Sequence, residues 1–381
     1  MMGRFFSILV ILFILYVSGP IIKQKFANSD YVKEMNQVES KLNDVKNNPE
    51  LQATIDSLSG EVKQLVEHLG LFLDKHPLTQ RKEKTEEQKK IALQTPADQV
   101  FSIHNIELGA TKEGIEHDLG QANRETLNEY GAKWNTYHNN FQNFFMVMYD
   151  EKNQAAGLYT NQDLIASSNG IKLGSSKETV RAALGEPLTG IQKGLTIFQI
   201  QENADYDVYL LNEVYVTIFY DKHENNTVTA MQLINKDVEQ KKHELYTSAS
   251  PALKEGFEYQ LFDLTNASRV KHQLPILSWD NHVKETARKH STDMAVNQYF
   301  DHTNLKGQSP FDRMKEDHII FYLAGENLAY GQFSSIFAHE GLMNSLGHRE
   351  NILRKGYKYL GVGVAFNNQS QPYYTENFYA K

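Results

Sequence analysis

An internal repeat within residues 99–235 constrains the fold of this chain more than any other feature of its sequence. Residues 106–113 are echoed by residues 171–178, and the offset of 65 residues persists to a Leu-Gly pair in each copy. Each copy predicts a short strand, then a helix capped by Thr111 or Ser176 that ends at the Leu-Gly pair. The repeat therefore predicts two helix-plus-sheet units packed as one pseudo-symmetric α+β domain.

Strand-like runs of apolar and aromatic residues follow in both copies, at residues 144–149 and 214–220. Each run leads into an aspartate and a polar turn, at Asp150 and Asp221. Neither copy contains a pattern typical of catalysis. We therefore interpret residues 99–240 as a structural or partner-binding domain.

Composition limits the classes of protein that this chain can belong to. Its 381 residues allow two or three domains, and 40% apolar with 23% charged residues is ordinary for globular protein. The net charge of −8 makes nucleic acid an unexpected partner. The sequence contains no cysteine, which excludes disulfides, thiolate metal sites, a cysteine nucleophile and a lipidated N-terminal cysteine.

The N-terminus carries an apolar run at residues 5–22, between Arg4 and Lys23. As a helix this run would span roughly 27 Å, enough to cross a bilayer core. We predict a transmembrane signal-anchor at residues 1–23, with the body of the chain outside the membrane because Arg4 favours the cytoplasmic side. The alternative is a signal peptide that is cleaved to release a secreted protein, although residues 17–19 match a cleavage site poorly.

Residues 24–98 are polar and predict a helical stalk followed by a solvated linker. Apolar residues recur there in alternating steps of four and three, as in a heptad seam. The seam consists of Leu51, Ile55, Leu58, Val62, Leu65, Leu69 and Phe72. It predicts either a short coiled coil that pairs two chains as a homodimer or an amphipathic helix that packs on its own domain.

The sequence pattern of residues 256–381, the last part of the chain, predicts several helices followed by two strands. A helix is expected to begin after Asp280 and another at Ser309, where Pro310 suits the first turn. Residues 360–366 and 372–378 alternate as strands and are joined by a polar hairpin loop.

Residues 257–381 contain a series of motifs in a specific order and spacing. The motifs are Asn266-Ala267-Ser268-Arg269, Leu277-Ser278-Trp279-Asp280, Tyr299-Phe300-Asp301-His302, Gly325-Glu326-Asn327-Leu328, residues 344–353 and Gly361-Val362-Gly363-Val364-Ala365. This series resembles the CAP superfamily of cysteine-rich secretory, antigen 5 and pathogenesis-related 1 proteins. The repeat domain is similar to the CAP-associated N-terminal domain of membrane-bound or secreted proteins of Gram-positive bacteria. The resemblance implies a C-terminal α-β-α sandwich with a cleft.

The cleft of that family gathers two histidines and two acidic residues, and in some members it binds a divalent metal. The resemblance carries over to His302, Glu326 and His348. The second acidic position falls near Ser345, and Glu340 lies five residues earlier, where one helical turn could bring it close. The expected cleft is therefore His302, Glu326, His348 and Ser345, with His302 and His348 as candidate ligands of Zn²⁺.

Imidazole and carboxylate groups are suitable Zn²⁺ ligands, and three ligands with one water would leave an open position. Histidine also serves as an acid or base near neutral pH. The structural alternatives are a Gly-Glu-Asn-Leu turn in which Glu326 accepts backbone N–H bonds, and a loop-capping role for His348.

Neighbouring polar residues carry weaker signals. Asp301 could orient His302, and His290 fits a helix-end residue. The pair His339-Glu340 lacks the second histidine of a zincin helix, because Met343 holds that position.

Two classes of function follow. The favoured one is a membrane-anchored binding module at the cell envelope that recognises a protein, lipid or wall glycan through the cleft. The alternative is an envelope hydrolase that uses the same residues, with or without the assistance of a bound metal. A purely structural scaffold is the third interpretation. An absent nucleophile motif and the missing second acid count against a complete catalytic apparatus.

Overall fold

The structure, a computed structural model, describes residues 90–381, which belong to one compact unit. The predicted membrane helix and most of the predicted stalk, including its whole heptad seam, lie outside the described residues. Within residues 90–381, no helix has both the length and the apolar character that crossing a membrane requires.

The N-terminal half of the described chain is built mainly from antiparallel strands. Its two repeat helices begin as predicted, because the side chains of Thr111 and Ser176 accept hydrogen bonds from the first helical turn. In chain order the elements are β1 (Phe101–Ile103), α1 (Lys112–Leu119), β2 (Arg124–Leu127), β3 (Lys133–Asn139), β4 (Gln142–Tyr149), β5 (Ala155–Thr160), β6 (Ile165–Ser167), α2 (Lys177–Leu184), β7 (Gly190–Lys193), β8 (Thr196–Gln199), β9 (Tyr206–Leu211), β10 (Val214–Asp221), β11 (Thr227–Asn235) and α3 (Lys236–Lys241).

Both repeats contribute to one seven-stranded sheet in the order β2-β3-β4-β5-β11-β10-β9. Strands β5 and β11, the last of each repeat, pair antiparallel at its centre, so the repeats are related by a local two-fold axis. Equivalent hydrogen bonds run from Gly109 N to Ala155 O and from Gly174 N to Val228 O. The predicted pseudo-symmetric arrangement is therefore present.

One hairpin breaks the symmetry. Asp150 and Asp221 end equivalent strands 71 residues apart, whereas the repeat helices begin 65 residues apart. The extra residues belong to the hairpin of β7 and β8, which pairs with itself and stays outside the large sheet. The second repeat thus has an additional flap at its edge.

The C-terminal half forms a four-stranded sheet, ordered β12-β14-β15-β13, with helices packed against it. The predicted helix starts at Asp280 and Ser309 are confirmed, since both side chains cap the helices that follow them. In chain order the elements are α4 (Pro251–Lys271), β12 (Ser278–Trp279), α5 (Asn281–Asn297), α6 (Pro310–Glu316), β13 (Leu323–Tyr330), α7 (Ser335–Asn344), α8 (Leu346–Ile352), β14 (Tyr359–Phe366) and β15 (Pro372–Ala380).

Close packing of α5 on β14 explains the alternating glycines of the Gly361–Ala365 motif. A Cβ atom at Gly361 would lie 2.3 Å from the backbone nitrogen of Lys284, and one at Gly363 would lie 2.1 Å from the backbone nitrogen of Arg288. Any larger residue would force the helix away from the sheet.

The expectation of a turn at Gly325–Leu328 is wrong. These residues lie inside β13 and pair with β15 along their whole length, so Glu326 stands opposite Asn377. The pattern was misleading because glycine and asparagine are common in turns, while here pairing with a neighbouring strand decides the conformation.

The two halves share a hydrophobic core. Trp134 and Phe144 of the repeat sheet belong to the same buried cluster as Phe257 and Leu261 of α4. A Cβ atom at Gly256 would lie only 2.2 Å from the Leu127 carbonyl oxygen, so α4 approaches the first repeat backbone to backbone.

Candidate functional site

Glu326 and His302 form the centre of the expected cleft. Glu326 lies on β13 with its side chain almost completely buried, while the His302 side chain, in the loop after α5, is 52% exposed. The ring Nδ1 of His302 lies 2.9 Å from Glu326 Oε1. The carboxylate therefore orients the imidazole and leaves its Nε2 directed away from this pair.

Arg313 occupies the other oxygen of Glu326. Its Nη2 donates to Glu326 Oε2 over 2.6 Å, and its Nη1 donates to the backbone carbonyl of His302 over 2.7 Å. This arginine is buried and fixes both members of the pair. Sequence reasoning missed it, because a basic residue between Asp312 and Met314 is indistinguishable from one on an exposed helix face.

His348 reaches the same region from helix α8. Its Nδ1 lies 2.9 Å from the hydroxyl of Ser345, the residue that precedes α8 and does not cap it through its side chain. The Asn327 side chain donates to the His348 carbonyl, and Asn351 donates to the backbone oxygen of Glu326. These amides bind α8 to β13, next to the buried carboxylate.

The pKa values of the two histidines are shifted in opposite directions. The hydrogen bond that the His302 ring donates to Glu326 raises the pKa of His302, with the charges of Glu326 and Asp301 acting in the same sense and burial against it. Burial lowers the pKa of His348, and the positive charge of His302 lowers it further. These shifts favour a cationic His302 and a neutral His348.

The three-ligand zinc set envisaged from the sequence does not fit this geometry. Both oxygens of Glu326 are committed, one to His302 and one to the Arg313 guanidinium, which would also repel a dication. Across residues 90–381, no group of three His, Cys, Asp or Glu side chains is arranged to hold a metal. The residues that could still ligate Zn²⁺ are His302 and His348 through Nε2, with Glu326 as the carboxylate behind one ligand.

Glu340 does not approach the cleft, contrary to the possibility that one helical turn would bring it there. It lies on α7 and accepts a 2.6 Å hydrogen bond from the Tyr159 hydroxyl of the repeat sheet. Burial raises the pKa of Glu340 to about 7. Helix periodicity explains the difference, because residues five apart lie on different faces of a helix.

His339 faces the same interior. Its Nε2 lies 2.7 Å from the Ser268 hydroxyl, and burial lowers the pKa of His339 to about 3. The ring is therefore neutral and belongs to the contact between the halves.

His290 is not at a helix end, as its position had indicated, but in the middle of α5. It is almost fully buried, and its Nε2 lies 3.0 Å from the carbonyl oxygen of Asp301. The Asp301 side chain accepts from the backbone of Thr303 rather than from His302. His290 thus supports the loop that carries His302, while Glu326 has the orienting role considered for Asp301.

The aromatic side chains of β15 are almost fully buried, namely Tyr373, Tyr374, Phe378 and Tyr379. They therefore form no exposed platform for a sugar ring.

Family models match both halves of the described chain. Residues 108–245 match the CAP-associated N-terminal family, and residues 262–378 match the cysteine-rich secretory protein family. A stretch of 121 residues is 47% identical to YlbC, an uncharacterized membrane protein of Bacillus subtilis, and covers 32% of this chain and 34% of that protein. Another of 135 residues is 38% identical to the uncharacterized protein YkwD of the same organism, covering 35% and 51%. The chain thus spans about a third and about half of these relatives.

Solved structures extend the similarity across both halves. An extracellular protein with an SCP domain from Bacillus anthracis matches 77% of this chain and 99% of its own, with a TM-score of 0.64 and 24% identity. A cysteine-rich secretory protein from Staphylococcus aureus matches 76% and 95%, with a TM-score of 0.58 and 14% identity. At these identities the likeness establishes the fold. This chain therefore carries a CAP-associated N-terminal domain at residues 108–245 and a CAP domain at residues 262–378.

Proposed function

We propose that this chain is a single-pass, membrane-anchored protein of the bacterial cell envelope, with its body outside the membrane and its CAP cleft acting as a binding site. The apolar run at residues 5–22 supports the anchor. The names of two similar proteins, a membrane protein and an extracellular protein, are consistent with this location.

The observation that carries the binding role is the saturation of Glu326. Both oxygens of this carboxylate are engaged, one by His302 and the other by Arg313, and the adjacent guanidinium disfavours a metal cation. What the cleft offers to a ligand is the half-exposed His302 ring. When protonated, this ring donates a hydrogen bond from Nε2.

A ligand that presents a phosphate or carboxylate would complement this cation. Cell-wall polymers and anionic lipid headgroups both carry such groups. The binding should weaken as pH rises through the raised pKa of His302, because the charge and one hydrogen-bond donor are lost together.

Co-sedimentation of the full-length protein in lipid nanodiscs with purified cell-wall fragments, and separately with vesicles of anionic phospholipid, tests this proposal. We expect His302→Gln to weaken binding about tenfold, the order of one charge-assisted hydrogen bond. The exposed His282 provides a matched control, and His282→Gln should bind as wild type. Equal binding by wild type and His302→Gln at pH 6 would reject the role of this ring.

A second candidate, an envelope hydrolase, is supported by one contact. The Ser345 hydroxyl and His348 Nδ1 are 2.9 Å apart, and the lowered pKa of His348 keeps the ring neutral, as a general base requires. Labelling by a fluorophosphonate should then occur at Ser345 and disappear in Ser345→Ala, but not in Ser370→Ala. Absence of labelling at Ser345 in the wild type would leave binding as the role of this site.

Pairing of two chains through the heptad seam of residues 51–72 is proposed from the sequence alone. Sedimentation equilibrium of residues 24–381 should give a dimer, and Leu58→Glu with Leu65→Glu should give a monomer. A wild-type monomer at high micromolar concentration would reject the pairing.

A further inference from the structure

A cavity lies at one edge of the repeat sheet, on the face directed towards the CAP domain. It is beneath the β7–β8 hairpin and has a volume of about 90 Å³. Aromatic rings form much of its wall, from the hairpin and β9 on one side and from the CAP domain on the other: Phe198, Tyr206, Phe333 and Phe337. The volume is several times the roughly 10–15 Å³ that one water molecule needs, so it admits a ring-sized group.

The floor of the cavity is polar. Thr217 and Gln232 stand opposite each other on β10 and β11, and both are buried. The Gln232 side chain is 2% exposed, and its Nε2 has no hydrogen-bond partner among the described residues. A buried donor without a partner costs roughly 1–3 kcal/mol, so its presence here calls for an acceptor that enters the cavity.

The repeat supplies an internal comparison for this residue. The position equivalent to Gln232 in the first repeat is Tyr159, and the two are direct neighbours across the central strand pair. The Tyr159 hydroxyl has Glu340 of the CAP domain as its acceptor. In the second repeat the CAP domain supplies no such acceptor, and the Gln232 side chain borders the cavity instead.

Two lysines border the cavity, and their surroundings differ. Lys193 lies 2.5 Å from Glu239 and also donates to the Lys242 carbonyl. The Lys242 ammonium donates to the Leu245 carbonyl and lies 5.0 Å from the centre of the Phe333 ring, with no carboxylate in salt-bridge contact within residues 90–381. Glu239, which pairs with Lys193, and Glu129 act on Lys242 at longer range, and burial raises the pKa of Glu129 to about 7. Lys242 therefore has no carboxylate in direct contact among the described residues.

We propose that this cavity binds a small hydrophobic carboxylate, with an aromatic or branched aliphatic body among the rings and acceptor oxygens for Lys242 and Gln232. A carboxylate accepts hydrogen bonds and donates none. It therefore suits the unpartnered Nε2 of Gln232 and the remaining N–H donors of the Lys242 ammonium. The β7–β8 hairpin closes over it, held to α3 by the Lys193–Glu239 pair and by the bond from Gln240 to the Gln192 carbonyl. The source is either a free acid or the C-terminal residue of a peptide.

Saturation-transfer NMR on the full-length protein in lipid nanodiscs, with empty nanodiscs as the blank, tests the proposal. Phenylacetate and glycyl-glycyl-phenylalanine are the two probes, and phenethylamine is the cationic control. We expect transfer to the aromatic protons of at least one carboxylate and none above the blank to the amine. Stronger binding of the peptide would identify a peptide terminus as the source, and stronger binding of phenylacetate a free acid.

Variants at the two donors make the test specific. We expect Lys242→Met to weaken binding at least about tenfold, Lys242→Arg to retain it, and Lys241→Met, at the exposed neighbouring position, to bind as wild type. Gln232→Leu should weaken binding while the protein keeps its melting temperature, because an unpaired polar group is replaced by an apolar one. Equal transfer to acid and amine, no transfer to either acid, or unchanged binding in both Lys242→Met and Gln232→Leu would overturn the proposal.

Discussion

Tyr159 and Gln232 occupy equivalent positions in the two repeats, but they meet different surroundings. The hydroxyl of Tyr159 donates to Glu340 of the CAP domain, whereas the side-chain nitrogen of Gln232 faces a cavity without a partner among the described residues. The first repeat is sealed by α4 and α7, and the second is covered at its edge by its own hairpin. Both repeats pack on the CAP domain, and the second repeat also borders this cavity.

The aspartates that end equivalent strands differ in the same way. Asp150 accepts backbone N–H bonds only from its own turn, at Lys152 and Gln154. Asp221 closes its turn through His223 and also pairs with Arg349 of α8 over 2.9 Å. Because α8 also carries His348, the second repeat is linked directly to the helix that borders the cleft. The contrast teaches that equal local sequence does not fix equal partners.

The largest effect is expected from Gly256, where α4 touches the first repeat. In Gly256→Val the new side chain would collide with the Leu127 carbonyl, and we expect a loss of more than about 3 kcal/mol in the free energy of unfolding, measured by urea titration. Gly341 is the matched helical control, since nothing lies within 4 Å of a Cβ there. A Gly256→Val protein as stable as wild type would mean that this end of the sheet is not sealed.

The next effect separates the two aspartates. Asp221→Ala leaves Arg349 largely buried without its anion, and we expect a loss of about 2–3 kcal/mol, at the lower limit for a buried pair because both side chains retain slight exposure. Asp150→Ala should lose about 1 kcal/mol or less, since only one turn is affected. Equal losses in both variants, measured by urea titration, would remove the distinction between the repeats.

A smaller effect is expected at the equivalent pair itself. Tyr159→Phe leaves the buried Glu340 without its donor and should cost about 1–2 kcal/mol. Gln232→Leu should cost nothing or stabilise, because its amide nitrogen has no partner to lose. Thermal unfolding of both variants measures the contrast, and a destabilising Gln232→Leu would show that the amide is satisfied.

The last prediction concerns the pH dependence of stability, where the expected difference between variant and wild type is smallest at mildly acidic pH. The folded-state pKa of Glu340 is raised from 4.5 to about 7, so the folded protein binds more protons than the unfolded chain between these values. Its contribution to stability is present below pH 4.5 and falls as pH rises towards 7. Glu340→Gln should match wild type at pH 5 and exceed it at pH 8, in urea titrations at both values. A wild type that is relatively more stable at pH 8 would contradict the raised pKa.

Much of this architecture was predictable because local signals agreed with tertiary structure. The caps at Thr111, Ser176 and Asp280 mark helices where they occur, and the repeat spacing predicted two related units. The expected proximity of His302 and Glu326 is present in the structure as a hydrogen bond. Arg313 was not predictable, because its role depends on where an eight-residue strand, β13, lies in space and not on its own neighbours in sequence.

The sequence by itself determined the repeat and the helix starts, since capping and periodicity are local properties of the chain. Only the tertiary structure decided that Glu326 is saturated, that Glu340 faces the repeat sheet, and that the cavity opens beside Gln232. Glu340 meets Tyr159 across 181 residues of sequence, and Glu326 meets Arg313 across 13 residues that belong to separate elements of the fold. Burial and pairing at such contacts set the partners of each polar group, and no local pattern encodes them.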